Sequence, residues 1–372
     1  MTRAATRIRI KDDGALEVVD PGFDVLPMLE AIDPAFRVAS APLPGFDKPR
    51  LLDTRARSCG LRASELASEA DATLWSRHAR LTEVPPAGTQ IVPAATGSSV
   101  LDLKVELARR LLAPCELCAH RCGVDRTRGE TGVCGLGDRA LLAEHFVHIG
   151  EESLINPSLV LNLAGCGLRC RFCQQWRLLD TASVSSDELT SGLWSELDLL
   201  GARSISFVGG NPDESLPGIL RFLADAPNGL ALPIVWNSHA YATSRVLALL
   251  NGIVDAYVPD LKYASEECGR RLSGVRGYAD VALASIEAMI AQRVPVVVRI
   301  LVLPGHLDCC HRPALAGLAA MNASNLFVSI RDQYCPDWKV GSQDGELVRR
   351  VRPKEAEAVR AWARNLQLTA IE

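Results

Sequence analysis

Three closely spaced cysteines are the residues of this sequence whose chemistry is most specific. Cys166, Cys170 and Cys173 follow one another as Cys-x3-Cys-x2-Cys, directly after an apolar run over residues 159–163. Cysteine thiolates hold iron–sulfur clusters, and three thiolates on a four-iron cluster leave one iron open to a small molecule. A zinc knuckle or three unrelated reduced thiols fit less well, because zinc knuckles favour Cys-x2-Cys pairs and four ligands. The spacing therefore predicts a reactive four-iron four-sulfur (4Fe-4S) cluster.

A second cysteine set lies upstream of the first. Cys115, Cys118, Cys122 and Cys134 are separated by two, three and eleven residues, with glycines interspersed. Four thiolates close a tetrahedral site, and both zinc and an auxiliary iron–sulfur cluster suit these ligands. We slightly favour a closed structural metal, and four reduced cysteines without metal are the alternative. Five of the twelve cysteines of the chain have no assigned role: Cys59, Cys268, Cys309, Cys310 and Cys335.

The elements that must position these cysteines are predicted from short apolar runs that alternate with longer amphipathic segments after Leu154. Such βα repetition makes successive strands parallel. Six units predict an α/β fold, a partial (β/α)6 barrel of the TIM type. Strands are predicted over residues 159–163, 204–208, 233–236, 255–258, 296–302 and 326–330. Helices are predicted over residues 101–112, 187–200, 213–224, 243–250, 278–293, 313–321 and 353–366.

The sequence pattern predicts three regions. Residues 1–100 are an N-terminal extension interrupted by prolines, and their structure is not determined by the sequence pattern. Residues 101–153 comprise a helix and the four-cysteine metal-binding segment. Residues 154–372 form the barrel together with a C-terminal helix that packs against it.

Polar and glycine residues follow the predicted strands, and active sites of parallel βα folds lie at the carboxyl ends of the strands. We expect these residues to surround one cavity. An arginine inside the apolar fifth strand needs a carboxylate partner such as Asp260, unless it serves a ligand. A lone histidine or tyrosine at a strand end is more often a structural group than a substrate contact. The residues are Gly209, Gly210, Asn211, Asn237, His239, Asp260, Lys262, Arg299 and Tyr334.

The cluster loop, with Phe172 before its third cysteine, resembles that of the radical S-adenosylmethionine (SAM) superfamily. The resemblance implies that the open iron binds SAM and that an electron from the cluster cleaves SAM to a 5′-deoxyadenosyl radical. This radical then abstracts hydrogen from a substrate. The resemblance also implies a catalytic or substrate-facing position for Asp260 and Lys262. His239 and Tyr334 are further catalytic candidates because of their strand-end positions. Cofactor contacts are implied for Phe172, Gly209, Gly210, Asn211, Asn237 and Arg299, with Asn211 standing where the family commonly has glutamate.

The four-cysteine segment and the Asp260-Leu261-Lys262 triplet extend this resemblance to the group similar to pyruvate formate-lyase activating enzyme, from about residue 101 to about residue 340. It implies an oxidoreductase that abstracts hydrogen from a protein, peptide or metabolite and is reduced by a partner such as flavodoxin or ferredoxin. Activation of a glycyl radical enzyme is one version. A radical enzyme of a biosynthetic pathway and a non-catalytic iron–sulfur electron-transfer protein are the alternatives.

The composition indicates the cellular compartment and the classes of partner to expect. A formal net charge of −4 gives no overall attraction to nucleic acid or to an anionic membrane. The basic N-terminus precedes no apolar segment of the secretory type, and no run approaches the ~20 residues of a membrane helix. Twelve cysteines without an export signal indicate a reducing compartment. We therefore expect a cytoplasmic protein without nucleic-acid or membrane partners.

Overall fold

The structure is a computed structural model that describes residues 8–10, 16–18, 46, 48–82, 97–182, 184, 187–197, 199 and 202–371. Most of residues 1–45 and residues 83–96 of the predicted N-terminal extension lie outside these described ranges. Within the extension, strands β1 (Ile8–Ile10) and β2 (Leu16–Val18) pair antiparallel. Helices α1 (Arg50–Ala56), α2 (Ala63–Ser68) and α3 (Asp71–Thr82) follow. The boundaries predicted near residues 100 and 153 stay predictions.

An eight-stranded sheet forms the centre of the chain. Its strands are β3 (Leu141–His148), β4 (Ser158–Leu163), β5 (Asp187–Glu188), β6 (Ser204–Gly209), β7 (Ile234–Ser238), β8 (Ala256–Pro259), β9 (Val296–Leu301) and β10 (Leu326–Arg331). Their spatial order is β10-β9-β8-β7-β6-β4-β3-β5. The run from β4 to β10 is parallel and contains the six predicted strands, whereas β3 and β5 add an antiparallel edge. The open, mostly parallel sheet confirms the predicted partial barrel.

Helices connect these strands and cover the sheet. They are α4 (Val100–Arg110), α5 (Leu216–Ala224), α6 (Ser244–Leu250), α7 (Glu266–Ser273), α8 (Tyr278–Ile290), α9 (Arg312–Ala320) and α10 (Pro353–Asn365). Six of the seven helices predicted from the sequence are present with small shifts of their ends. Strand β3 and helix α7 were not predicted. In the described part of the chain no helix is long and apolar enough to cross a membrane.

The helix predicted over residues 187–200 is wrong for the described part of that segment. Asp187 and Glu188 pair with β3, and a 3-10 helix follows at Ser191–Ser195. The apolar residues that suggested a helical face serve tertiary packing instead. The Trp194 ring stacks on Phe222 at 4.2 Å, and its indole N–H donates to the Phe222 carbonyl at 2.9 Å. Tertiary contacts at the edge of the sheet outweigh the weak local preference for helix.

The burial of the parallel strands explains why the sequence pattern predicts them. All six residues of β4 are buried, because both faces of a parallel sheet are covered and its strands become continuous apolar runs. Side-chain caps begin several of the helices: Ser99, Thr243 and Ser265 accept backbone N–H groups at the starts of α4, α6 and α7. One hydrophobic core extends from Leu51 in α1 to Ala363 in α10.

Two glycines bring the end of β6 against the end of β4. Gly209 has φ +99°, in the region that favours glycine, and a Cβ there would lie 2.3 Å from the Leu163 nitrogen. A Cβ on Gly210 would lie 2.0 Å from the Gly165 carbonyl oxygen. The Gly210 N–H donates to the Leu163 carbonyl at 2.6 Å. This close backbone contact fixes where the loop after β4 begins.

We expect Gly210→Ala to lower the free energy of unfolding by about 3 kcal/mol or more, because its methyl group would overlap backbone that cannot rotate away. Chemical denaturation followed by circular dichroism measures the loss. Gly229→Ala is the matched control, since a Cβ at Gly229 meets no atom within 4 Å. Equal stabilities of the two variants would show that the β4 and β6 ends can separate at little cost.

Candidate active site

A cavity of about 330 Å³ opens at the carboxyl ends of the parallel strands. This is the size of a small-molecule site. It brings together every strand-end and cluster-loop residue predicted above except Tyr334. Its lining includes Cys166, Cys170, Phe172, Cys173, Gly209, Gly210, Asn211, Asn237, His239, Asp260, Lys262 and Arg299.

The cluster loop, residues 165–173, holds its cysteines with little exposure. Cys166 and Cys170 are 7% and 8% exposed, and Cys173 is partly buried. Burial, followed by the Glu214 carboxylate and the neighbouring thiols, raises the pKa of Cys166 well above its ordinary value. Burial and the neighbouring Cys170 raise the pKa of Cys173 to about 11. Buried thiols of this kind ionise readily only when a cation binds them. The loop therefore suits a metal centre better than free thiolates.

Helix α7 supports the cluster loop from one side. The Arg169 and Arg171 amides donate to the Ser273 and Leu272 carbonyls at 3.0 and 2.8 Å. The Ser273 hydroxyl lies 2.9 Å from the Cys170 sulfur, and the Tyr263 hydroxyl lies 2.7 Å from the Ser273 oxygen. The loop backbone and one cysteine sulfur are thus both fixed to the C-terminal end of α7.

Phe172 and Tyr334 pack behind the cysteines. The Phe172 ring makes edge contacts with Tyr263 and Tyr334, at centroid distances of 6.4 and 5.7 Å. Tyr334 is 1% exposed, and its hydroxyl donates to the Leu347 carbonyl at 2.7 Å. The expectation that Tyr334 faces the cavity is therefore wrong. Its hydroxyl is hydrogen-bonded to the Leu347 carbonyl, and its ring packs against Phe172.

Asn211 and His239 belong to a buried network around Glu214. The Asn211 side-chain oxygen accepts the His239 amide at 3.0 Å, and its nitrogen donates to Glu214 Oε2 at 2.5 Å. His239 Nδ1 accepts the Tyr241 amide, which assigns the ring proton to Nε2, 3.3 Å from Glu214 Oε1. Both ring nitrogens are therefore engaged. The same Oε1 accepts the Gly167 amide of the cluster loop at 3.0 Å.

Glu214 is the residue that sequence reasoning missed. It is 1% exposed, and although burial disfavours its charge, contacts with His239 and Asn211 hold its pKa below the usual range. The sequence did contain a hint of its role. The radical SAM superfamily commonly has a glutamate directly after the two glycines, and this chain has Asn211 there with Glu214 a few residues later. Here a carboxylate comes three residues after Asn211 and binds the cluster loop.

Lys262 and Asp260 form an ion pair on the cavity wall. Lys262 Nζ lies 2.6 Å from Asp260 Oδ2. Although burial disfavours the ammonium, the Asp260 carboxylate and the nearby Cys170 raise the pKa of Lys262. Lys262 in turn lowers the pKa of Cys173, against the larger effect of burial. The pair therefore fixes the Lys262 ammonium group beside the cluster loop, with its charge balanced by Asp260.

Arg299 pairs with two glutamates rather than with Asp260. Its guanidinium contacts Glu151 and makes two bonds to Glu152, of 2.7 and 2.6 Å. Glu152 also forms an ion pair with Arg331, at 2.8 Å. Although burial disfavours the carboxylate, Arg299 holds the pKa of Glu152 well below its usual range. The predicted partner is thus corrected: Asp260 is engaged by Lys262, and Arg299 reaches the cavity already paired.

The four-cysteine segment lies next to the cluster loop. Cys115, Cys118 and Cys134 are buried, and Cys122 is exposed. Burial and, to a smaller extent, the Glu214 carboxylate raise the pKa of Cys134 to about 11. A Cβ on Gly167 would lie 3.7 Å from the Cys118 sulfur. His120 Nε2 is 2.8 Å from the Gly167 carbonyl oxygen, so the two cysteine sets approach each other across one residue.

A buried arginine faces this segment. Arg126 is 1% exposed, and its guanidinium lies 4.0 Å from the Cys115 sulfur. It also donates to the Glu214 and Gly137 carbonyls, at 2.9 and 2.6 Å. Among the described residues no ion pair joins Arg126 to a carboxylate. A buried cation needs negative charge beside it, and thiolates bound to a metal would provide that charge.

The expected distance between ligand sulfurs differs between an iron–sulfur cluster and a single metal ion. Within the described ranges, neither the cluster-loop sulfurs nor any three of the four-cysteine set lie all within 4.8 Å of one another. Sulfurs on one tetrahedral zinc ion, each about 2.3 Å from the metal, would be about 3.8 Å apart. In an iron–sulfur cluster each thiolate binds a different iron, so the sulfurs stand further apart.

Comparisons with known proteins identify the superfamily. A family model described as the radical SAM superfamily matches residues 163–314. The uncharacterized protein MJ0674 of Methanocaldococcus jannaschii is 33% identical over 286 residues, which cover 73% of this chain and 81% of that protein.

Two solved structures are similar at lower identity. SuiB of Streptococcus suis bound to SAM is 13% identical, with a TM-score of 0.41 over 55% of this chain and 47% of that one. The chain thus spans about half the length of SuiB. A domain of pyruvate-formate lyase-activating enzyme from Bacteroides vulgatus is 11% identical, with a TM-score of 0.31 over 37% of this chain and 80% of that domain. At these TM-scores neither structure bears on the substrate.

The matched residues begin at the end of β4 and extend into α9, and they include the cluster loop and most of the cavity wall. The superfamily predicted from the cysteine spacing is confirmed. Its members cleave SAM by a radical mechanism, and the family implies a 4Fe-4S cluster and SAM as cofactors. This chain belongs to the radical SAM superfamily and is a radical SAM enzyme.

Proposed function

We propose that the enzyme binds a 4Fe-4S cluster on Cys166, Cys170 and Cys173 and uses SAM in the adjoining cavity to abstract hydrogen from a protein, peptide or metabolite. One observation carries this proposal: two buried thiols, one partly buried thiol and the polar ends of the parallel strands line the same cavity. The cluster and SAM supply the radical chemistry when bound. Activation of a glycyl radical enzyme is one version, and a flavodoxin or ferredoxin is the proposed reductant.

The contacts narrow how this chain would hold SAM. The side-chain oxygen of Asn211 accepts the His239 amide, so Asn211 organises the wall of the site, and the SAM ammonium needs acceptors besides the one remaining lone pair of that oxygen. Backbone around Gly209 and Gly210, together with Asn237, lines the cavity and can supply them. Asp260 and Lys262 lie on the same wall beside the cluster loop, where a charged or polar substrate group would meet them.

We propose an auxiliary iron–sulfur cluster for Cys115, Cys118, Cys122 and Cys134, in preference to zinc. Among the described residues no three of these sulfurs all lie within 4.8 Å of one another, an arrangement that suits several irons better than one ion. The guanidinium of Arg126, buried beside Cys115, would balance part of the negative charge of a thiolate-bound cluster. The contact of His120 with Gly167 would place this cluster directly behind the SAM-binding one.

Replacing Cys166, Cys170 and Cys173 together by alanine should abolish SAM cleavage and remove about four irons per chain, since no ligand of the reactive cluster remains. Iron analysis and 5′-deoxyadenosine formation, measured anaerobically with dithionite, give the two readouts. Cys335→Ala is the control, because Cys335 lies in neither cysteine set. Retention of a SAM-responsive paramagnetic signal in the triple variant would refute the assignment. SAM cleavage absent from the reconstituted wild type would refute the enzymatic proposal itself.

Cys118→Ser and Cys134→Ser should each remove iron from the second centre while the cluster loop keeps its own. We expect a loss of roughly four irons per chain and a lower thermal stability, because metal binding to a buried site contributes to folding. Iron and zinc analysis of variants and wild type measures it. Zinc lost in place of iron would overturn the cluster in favour of a zinc site. Wild type with neither zinc nor extra iron would remove the basis for any metal there.

Ser273→Ala should lower the reduction potential of the reactive cluster by tens of millivolts, because hydrogen bonds to cluster sulfurs stabilise the reduced state. Redox titration followed by electron paramagnetic resonance measures the shift. Tyr263→Phe is the matched control, since it removes the neighbouring hydroxyl and leaves the Ser273 hydroxyl 2.9 Å from the Cys170 sulfur. An unchanged potential in Ser273→Ala would mean that this hydroxyl does not bond to the ligand sulfur.

A further inference from the structure

A third group of metal-binding side chains lies outside the cavity and outside both cysteine sets. It consists of Cys268, His306, Cys309 and Cys310, and one donor atom from each lies within 4.8 Å of all the others. His306 Nδ1 is 3.4 Å from the Cys268 sulfur and 3.3 Å from the Cys309 sulfur. The Cys309 sulfur is 3.9 Å from that of Cys268 and 3.7 Å from that of Cys310. We call these four residues the Cys3His group.

These distances are those of four ligands around one ion. Zinc–sulfur bonds of about 2.3 Å and zinc–nitrogen bonds of about 2.0–2.1 Å, at tetrahedral angles, place sulfurs about 3.8 Å apart and nitrogen about 3.6 Å from sulfur. The spacings above match those values to within about 0.3 Å. They are too short for an iron–sulfur cluster and too long for a disulfide, whose sulfurs lie about 2.05 Å apart.

The local backbone explains how two adjacent cysteines point at one histidine. Residues 307–311 form a π-helical turn, in which the His311 amide donates to the His306 carbonyl five residues before it. Such turns recur at functional sites, where the extra residue redirects side chains. Cys310 is fully buried, and Cys268 and His306 are 6% and 8% exposed, whereas Cys309 is exposed. The donors thus meet at the protein surface with three of four ligands enclosed.

We propose that the Cys3His group binds a single zinc ion as a closed structural site. Three thiolates and one imidazole complete tetrahedral coordination, which leaves no position for a substrate or catalytic water. The donor set and its spacing are typical of zinc, which carries no redox chemistry of its own. This assignment stands on the geometry of the four residues and does not depend on the proposed reaction.

The position of the group gives the ion a role in the fold. Cys268 lies in the first turn of α7, and the three other ligands lie between β9 and α9. An ion here would fasten the start of α7 to that connection. The opposite end of α7 carries Ser273 and Leu272, which hold the cluster loop. Zinc would therefore stabilise the helix that binds the cluster loop.

Zinc per chain is the quantity that tests this proposal, measured by mass spectrometry on full-length protein expressed with added zinc and purified without oxygen. Cys309→Ser and Cys268→Ser should each lose one zinc per chain relative to wild type and keep their iron. Cys335→Ser, which removes a cysteine outside the group, should keep both. Cys309 is exposed, so serine there is compatible with folding, and retained iron reports a folded chain.

X-ray absorption at the zinc edge supplies an independent test. A variant with Cys115, Cys118, Cys122 and Cys134 replaced by serine should retain one zinc with three sulfur ligands and one nitrogen ligand. Wild type without zinc, or a Cys268→Ser Cys309→Ser double variant with undiminished zinc, would overturn the site. So would a disulfide between Cys309 and Cys310 found by peptide mapping of the anaerobic protein. The iron readout separates these outcomes from a failure of the proposed function.

Discussion

The arrangement of the catalytic end of the barrel depends on one buried carboxylate. Glu214 comes from the turn after β6, yet its two oxygens bind the cluster loop after β4 and side chains at the end of both β6 and β7. A buried charge is tolerated only when hydrogen bonds surround it, so these bonds must form together. Glu214 therefore sets the relative positions of three successive strand ends. The cavity between them is a consequence of that constraint.

The same requirement of charge balance governs the rest of the cavity wall. Asp260 neutralises Lys262, and Glu151 and Glu152 neutralise Arg299. Each charged side chain is thus held in a fixed geometry before any ligand enters. Fixed dipoles and ion pairs stabilise a charged ligand without reorganising, which suits a site whose proposed cofactor carries a sulfonium, an ammonium and a carboxylate. The tight pairing explains why a strand arginine is tolerated in an apolar sheet.

The sequence predicted what is periodic or local in this chain. Parallel strands covered on both faces read as apolar runs, and their six positions were found to within a few residues. The segment after Asp187 was wrong because edge pairing with β3 and stacking of Trp194 on Phe222 prevail over helical spacing. Glu214 and the partners of Arg299 were missed because they depend on contacts between residues far apart in the chain. The Cys3His group was missed for the same reason: Cys268 and His306 are joined only by the fold.

We propose different chemistry for the three cysteine groups. Three ligands in one loop leave an iron available, and that loop faces the cavity. The four-cysteine segment contacts the cluster loop at Gly167 and lies beside Arg126. The Cys3His group lies at the first turn of α7, and the last turn of the same helix contacts Cys170. On the proposed assignments, an open reactive cluster stands between two closed metal sites. Closed metal sites add rigidity but no reactivity. On these assignments they would fix the cluster loop from both sides, while the open iron of its cluster would remain accessible from the cavity.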